Sequence, residues 1–505
     1  MRKAALVFTV LLAAIGCEEK PVYQGSPAVH LSLQEVGRTS VSVAVESLNT
    51  EAVFLLCKAG DAAPGADGVV SGGVRCEESS YSFSDLTPDT GYSVYAVGRA
   101  PGGKLSKVES VSFTTGLLAQ DLYPWEKERK GVPAPADLTL CTGGGRPNSN
   151  SWFSIPMYWD AARFAPHVSY VDGDGEHWLF EGFLAITGID MDGRNFGINP
   201  NGGLSAPKES WEALASYWLD KGGAFDELDK AIEAAAARIG DPPRKRYVVM
   251  TVPDPIMFER FSDKQSSTTY WGVLDGKLLD FSKVEDQIKA CEWYADLVRE
   301  KFNALKARHL ELAGFYILSE ELVAKSSGYN YIYKRWDRIL PKFAEYLHQR
   351  NEGLYWIPYL NADGTDLWKE LGIDCAWLQP NYYWDYNNDK PIAQAFRSIS
   401  ALGMGLELEF EYSMVEGVMK TPGIMGPDGA GRYVFSLKDV PSLRSRFRQY
   451  MSGFKDAGLY GQRPIALYSG SNALYQLATS EETEDIAIYL ELCRFVSDSP
   501  LRSSH

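Results

Sequence analysis

From residue 137 onward, short apolar strand-like runs alternate with amphipathic helical stretches. That alternation calls for a parallel sheet with helical crossovers, because parallel neighbours cannot be joined by a tight turn. Eight strand candidates stand out, at 137–144, 177–187, 247–253, 314–320, 354–360, 375–383, 405–412 and 464–469. Helical stretches at 211–219 with 225–239, 284–307, 331–350, 392–402 and 443–457 separate most of them, and 481–496 closes the chain. Only the stretch between the first two candidates lacks a clear helix. The pattern predicts an α/β fold, a (β/α)8 TIM barrel over 137–505 with insertions. The alternative is a doubly wound open sheet. Gly143, Gly144 and Gly145 after the first strand lack the G-x-G-x-x-G spacing of a dinucleotide fingerprint.

Two of the runs, 314–321 and 405–412, end in acid. With a period of two, Tyr316, Leu318 and Glu320 share one face of the fourth strand. On the seventh, Glu407, Glu409 and Glu411 share one face, and Leu406, Leu408 and Phe410 the other. Helices cover the outside of a barrel, so the acid row is expected inside it, near the mouth. A buried carboxylate must be paired with Arg or Lys, hydrogen-bonded, or kept protonated. Reactive side chains of barrels project from the C-terminal strand ends. Glu320 facing Glu409 or Glu411 is therefore the expected catalytic pair. Paired carboxyl groups at a barrel mouth are the chemistry of glycoside hydrolysis.

The other strand ends are rich in aromatic and amide side chains. Strand three ends at Asp254, strand five carries Tyr359 and Asn361, and strand six carries Gln379, Asn381, Tyr382 and Trp384. The loop after strand one carries Asn148, Asn150, Trp152, Tyr158 and Trp159. Aromatic faces stack on the C–H faces of sugars, and amides and carboxylates bond the hydroxyls. Asp254, Trp159, Tyr359, Asn361, Gln379, Asn381, Tyr382, Trp384 and Glu407 are the expected substrate contacts.

The N-terminus reads as an export signal at 1–17, with Arg2 and Lys3 followed by an apolar run too short to span a membrane. Residues 28–116 read as an all-β sandwich of short alternating strands, with Val41, Val43 and Val45 on one face. A charged, Pro-containing linker is expected at 117–136.

The net charge of −16 argues against nucleic acid and anionic membrane surface as partners, and suits a neutral or weakly charged ligand. Among the seven Cys no CxxC pair occurs, and the six His are dispersed, so no metal site and no cofactor is expected. An exported compartment would permit a Cys57–Cys76 bridge. Residues 172–176, rich in Asp and Gly, lack the rest of a calcium loop and read as a turn before strand two.

Five resemblances follow from these residues. Ala14, Ile15, Gly16 and Cys17 resemble the lipobox of bacterial lipoproteins, which implies a lipidated Cys17 as the only membrane attachment. Glu18, Glu19 and Lys20 resemble the acidic tag of lipoproteins sent to the outer surface, which implies an exported, outer-membrane protein. Leu86, Pro88, Thr90, Tyr92, Val94 and Val97 resemble the hallmark run of a fibronectin type III domain, implying a spacer module. The runs at 314–320, 356–359, 378–382 and 407–410 resemble a family of exported bacterial proteins listed as a domain of unknown function with a glycosidase-like barrel. Acids on strands four and seven match the order in a large clan of retaining glycosidases, although Ser319 replaces the Asn usual before the strand-four Glu. The likeness implies that Glu320 protonates the departing oxygen while Glu409 or Glu411 attacks the anomeric carbon or activates water. The alternative is a non-catalytic surface glycan-binding lipoprotein.

Overall fold

The computed structural model describes residues 25–36, 40–60, 63–84, 86–87, 90–115, 132, 134–145, 158–197, 203–260, 267–322, 336–384, 392–420, 436–470 and 472–503. The expected signal peptide, Cys17 and most of the expected linker lie outside them, as do Asn148, Asn150 and Trp152. The chain divides into two compact units, Met1–Asp121 and Leu122–His505.

The first unit holds two antiparallel sheets. One contains Ala28–Val36, Val41–Leu48 and Ser80–Phe83; the other contains Val74–Cys76, Ala52–Ala59, Gly91–Arg99 and Glu109–Thr114. Val41, Val43 and Val45 are buried, with Val53, Leu55, Val94 and Phe113 in the same core. Their alternation with polar residues is what lets one face of each strand turn inward. Cys57 and Cys76 are both free. Cys76 pairs with Val53, four residues along the strand from Cys57. At about 3.3 Å per residue that offset exceeds the roughly 7 Å Cα limit of a disulfide. The bridge that an exported compartment would permit is excluded by register.

The second unit is built on a closed barrel of eight parallel strands, each paired with its neighbours in chain order. They are Asp137–Thr142, Gly182–Ile186, Arg246–Val252, Leu310–Ile317, Gly353–Trp356, Cys375–Leu378, Gly405–Glu409 and Ile465–Tyr468. The eighth closes on the first, with Ile465 opposite Asp137. We refer to them as strands one to eight. Helices Lys208–Leu219 and Ala224–Ile239 follow strand two, Val284–Leu305 follows strand three, and Trp336–His348 follows strand four. Ile392–Leu402 follows strand six, Val440–Asp456 follows strand seven, and Thr483–Ser497 follows strand eight. No α-helix lies between strands five and six, where the described residues form turns.

Three expectations are corrected. The stretch between strands one and two does hold a helix, Ala161–Val168, whose N-terminus is capped by Asp160 accepting from the Arg163 backbone. Pro166 within it masks its signal in the sequence. The run expected as one strand at 177–187 is two elements. Gly175–Trp178 pairs antiparallel with Ser169–Asp172, and only Gly182–Ile186 joins the barrel. Residues 172–176 span the tip of that hairpin, with 173–174 as its turn and Asp172 Oδ1 accepting from the Asp174 backbone. Strand four begins at Leu310 and ends at Ile317, so Glu320 stands beyond its end.

Inside the barrel, Leu138, Leu140, Leu184, Val249, Tyr316, Tyr355, Trp377 and Ala466 form one packed core. A bulge between strands three and four sets which residues of strand four point in. The register shifts so that Val248 faces Leu312 and Val249 faces Gly314. Gly314 has φ of 150°, and a Cβ there would fall 2.0 Å from the Gly353 carbonyl oxygen. Only glycine lets the strands approach this closely. The shift leaves Tyr316 and Leu318 on the inner face.

Candidate active site

Strand seven carries its acids on the inner face. Glu407 pairs with Ala466 and Glu409 with Tyr468, two positions whose side chains belong to the barrel core. Adjacent parallel strands place paired residues on the same face, so Glu407 and Glu409 point inward. Both are buried, Glu409 completely. Leu406, Leu408 and Phe410 face the other way, and Phe410 packs edge-on against Phe447 of helix Val440–Asp456. Glu411, past the strand end, is half-buried.

Tyrosine hydroxyls surround these acids. The Tyr450 hydroxyl donates to Glu409 Oε2 at 2.5 Å. The Tyr450 hydroxyl oxygen in turn accepts from the backbone N–H groups of Tyr382 at 3.1 Å and Tyr383 at 2.9 Å. Glu409 Oε1 is buried with no partner at hydrogen-bonding geometry. The Tyr468 hydroxyl donates to Glu411 Oε1 at 3.2 Å, and the Trp384 side chain also reaches Glu411. Among the described residues no Lys or Arg forms an ion pair with Glu407, Glu409 or Glu411.

Burial pushes the Glu409 carboxyl up to about 8, against the opposing pull of the Tyr450 hydroxyl, the Asn381 and Tyr382 backbone and the Gln379 side chain. Burial, and then the charges of Glu409 and Glu320, hold Glu407 well above the usual carboxylate range. Burial also raises Glu411, offset by Tyr468 and Trp384. Burial thus raises all three carboxyl groups of this row, Glu409 to about 8.

Strand four contributes from the opposite wall. Tyr316 is buried, and the charges of Glu320, Glu407 and Asp254 all reach its hydroxyl. Glu320 itself is exposed beyond the strand end. Its charge is felt by Glu407, so the acids of strands four and seven meet in one electrostatic neighbourhood. Asp254, at the end of strand three, is buried and accepts from the Trp336 indole N–H at 3.0 Å.

The remaining predicted contacts divide. Trp384 is half-buried beside Tyr468, with ring centroids 5.9 Å apart, and lies at the acid cluster. Gln379 and Asn381 border Glu409. Tyr359 bridges to Gln379 past the ends of strands five and six, and its hydroxyl donates to Glu321. Asn361 is exposed in a left-handed turn with φ of 69°, a conformation Asn tolerates well. Tyr382 is buried, its hydroxyl donating to Gln449 at 2.6 Å, so it packs rather than presents a face. Trp159 is likewise packed away, and the expectation of a sugar platform there is corrected. Its indole N–H donates to the Thr142 carbonyl at 2.9 Å, the Arg163 guanidinium lies 4.0 Å from its ring, and Phe164 covers it at 4.5 Å.

Tyr450, Tyr468 and Trp336 escaped the sequence reading, and Tyr316 was placed on the face of Glu320 without a role at the site. Tyr468 shares the inner-face period of its strand and could have been found that way. Tyr450 and Trp336 arrive from helices, and no local signal marks them. Among the described residues no group of three or more His, Cys, Asp or Glu is arranged to hold a metal ion. No helix among them is long and apolar enough to cross a membrane.

A family model described as a domain of unknown function (DUF4855) matches residues 152–422, a span holding strands two to seven and all four glutamates of the cluster. No curated protein matches the chain. Among solved structures, a computationally redesigned β-sandwich protein aligns at 21% identity over 19% of this chain and 98% of its own, with a TM-score of 0.15. A structure described as that of a myokine aligns at 19% identity over 18% of this chain and 96% of its own, with the same score of 0.15. At that score neither likeness carries an argument.

Proposed function

The chain belongs to the DUF4855 family, and we propose that it is a glycoside hydrolase acting by a two-carboxylate mechanism on a neutral poly- or oligosaccharide. One observation carries the reading. Glu320 beyond strand four and Glu407 of strand seven come from opposite parts of the barrel, and the charge of one reaches the other. Hydrolysis of a glycosidic bond needs one carboxyl group that holds a proton and one that is ionised. Strand seven supplies groups that hold protons, since burial raises Glu407 and Glu409. Glu320, exposed at the mouth, is the partner that attacks the anomeric carbon or activates water. This reverses the roles expected from the order of strands alone. Neighbouring acids disfavour an anionic substrate, and Trp384 offers a ring beside Glu411 for the sugar face.

The finer fold belongs to the same proposal. We take the closed parallel barrel with its surrounding helices as a (β/α)8 barrel. We take the first unit as a fibronectin type III-like spacer, because the Tyr92 hydroxyl accepts from the Thr87 backbone at 2.9 Å, a corner typical of such sandwiches. Cys17 with its flanking residues supports an exported lipoprotein, anchored by lipid and facing its glycan at the cell surface.

The test is release of reducing ends from a panel of neutral bacterial, plant and host glycans by purified protein, with Glu320→Gln as control. Binding to a glycan with no release by the unmodified protein would leave the non-catalytic reading standing instead.

A further inference from the structure

We propose that Tyr450 is the positioning residue of Glu409: its hydroxyl fixes Oε2 as an acceptor, so that the carboxyl proton resides on Oε1, the oxygen left for the substrate. This rests on the hydrolase reading for its chemistry, although not for its geometry. The Tyr450 oxygen already accepts two backbone N–H bonds, from Tyr382 and Tyr383. It has no acceptor capacity left for a proton on Glu409 Oε2. Its own proton can only go outward, and Glu409 Oε2 is its partner at 2.5 Å. When Glu409 is protonated, the proton is therefore confined to Oε1. That oxygen is fully buried and has no partner. A buried polar atom left unpaired costs about 1–3 kcal/mol, which makes it a place where a ligand atom is expected.

The consequence for the reaction is a directed proton. The Oε1–H bond breaks as an O–H bond forms on the departing glycosidic oxygen, and the electrons of the broken C–O bond stay with that oxygen. Glu409 is left as a carboxylate that still accepts the Tyr450 hydrogen bond, now charge-assisted and stronger. Water supplies the new hydroxyl at the anomeric carbon, and its proton passes to the second carboxylate. Tyr450 thus favours the product state of the donor without touching substrate. The titratable groups facing Glu409 are Glu407 on its own strand, Tyr468 on strand eight and Tyr450 on the following helix; Gln379, Asn381 and Tyr382 face it from the segment just past strand six.

Infrared difference spectra of the full-length protein test this without any substrate. In unmodified protein a protonated-carboxyl band is expected to vanish on titration through about pH 8. Glu409→Gln should remove that band. Tyr450→Phe should keep it but move its midpoint to higher pH, because the charged form loses its donor. If Tyr450→Phe fails to fold, the tyrosine C–O band serves instead. It should shift in step with the carboxyl band in unmodified protein and stay still in Glu409→Gln. A carboxyl band titrating through about pH 8 that Glu409→Gln leaves unchanged, a midpoint unmoved by Tyr450→Phe, or a tyrosine band indifferent to Glu409 overturns the assignment. If the glycan panel fails while these bands behave as expected, the hydrolase reading falls and the positioning stands. With an aryl glycoside that the protein cleaves, Tyr450→Phe should also move the basic limb of kcat/KM to higher pH and lower kcat about 10-fold or more.

Discussion

Glu409 stands directly opposite Tyr468 in the parallel pairing of strands seven and eight. Because Tyr468 lines the barrel core, that register commits Glu409 to the interior and Leu408 to the helical side. A one-residue slip would reverse both. The cost of burying the acids is therefore built into the strand, and it has a pH signature.

Burial raises the Glu409 carboxyl from 4.5 to about 8. Below the lower value, folded and unfolded chains both hold the proton, and the fold keeps its full stability. Between the two values the unfolded chain releases the proton first. Stability should then fall as pH rises, until the folded group ionises as well. Glu407 shifts in the same direction and adds to the slope. Urea denaturation across this range should show the decline, and Glu409→Gln should flatten it. Equal slopes in the two proteins would contradict the burial argument.

Gly314→Ala should destabilise the second unit by about 3 kcal/mol or more, since the added Cβ meets the Gly353 backbone and cannot be relieved by a side-chain rotation. Denaturant unfolding reads the loss. The same substitution at Gly173, where a Cβ meets nothing, should be close to neutral.

Asp485 ties the segment after strand seven to the last long helix. It is fully buried, pairs with Arg444, and accepts from the backbone of Glu416 and Gly417 and from the Ser480 hydroxyl. Asp485→Ala leaves Arg444 buried without this counter-charge and should cost about 3–5 kcal/mol in unfolding free energy. A loss within the range of ordinary surface changes would mean that this junction is held by packing alone.

Two tryptophans separate a site residue from a core residue. Trp384→Ala should raise KM for the glycan with little change in melting temperature. Trp159→Ala should lose about 3–5 kcal/mol of stability through the cavity it opens. Both variants can be read by thermal unfolding and by initial rates.

These contrasts show where the sequence was legible. The eight barrel strands were visible as compact apolar runs, although the bounds of the second and fourth were misplaced. The inner face of strand seven was visible because alternating Glu and Leu leave only one sensible orientation inside a helical coat. Strand four was cut short at its start because Glu311 interrupts the apolar run. The hairpin at Ser169–Asp172 and Gly175–Trp178 was missed because its strands are short and polar. Trp159 was misjudged because an aromatic residue after a strand looks the same in sequence whether it packs or presents a face. Tyr450 was invisible for a different reason. Its partner lies 41 residues away, and helical periodicity says which face is buried without saying which atom it meets.

The most direct measurement is the initial rate of reducing-end release from a neutral glycan, compared among unmodified protein, Glu320→Gln and Glu409→Gln. Both single substitutions should lower kcat by about 100- to 10,000-fold. Glu320→Gln should leave the melting temperature in place, because the residue is exposed. Full activity in either variant would contradict a two-carboxylate site spanning strands four and seven.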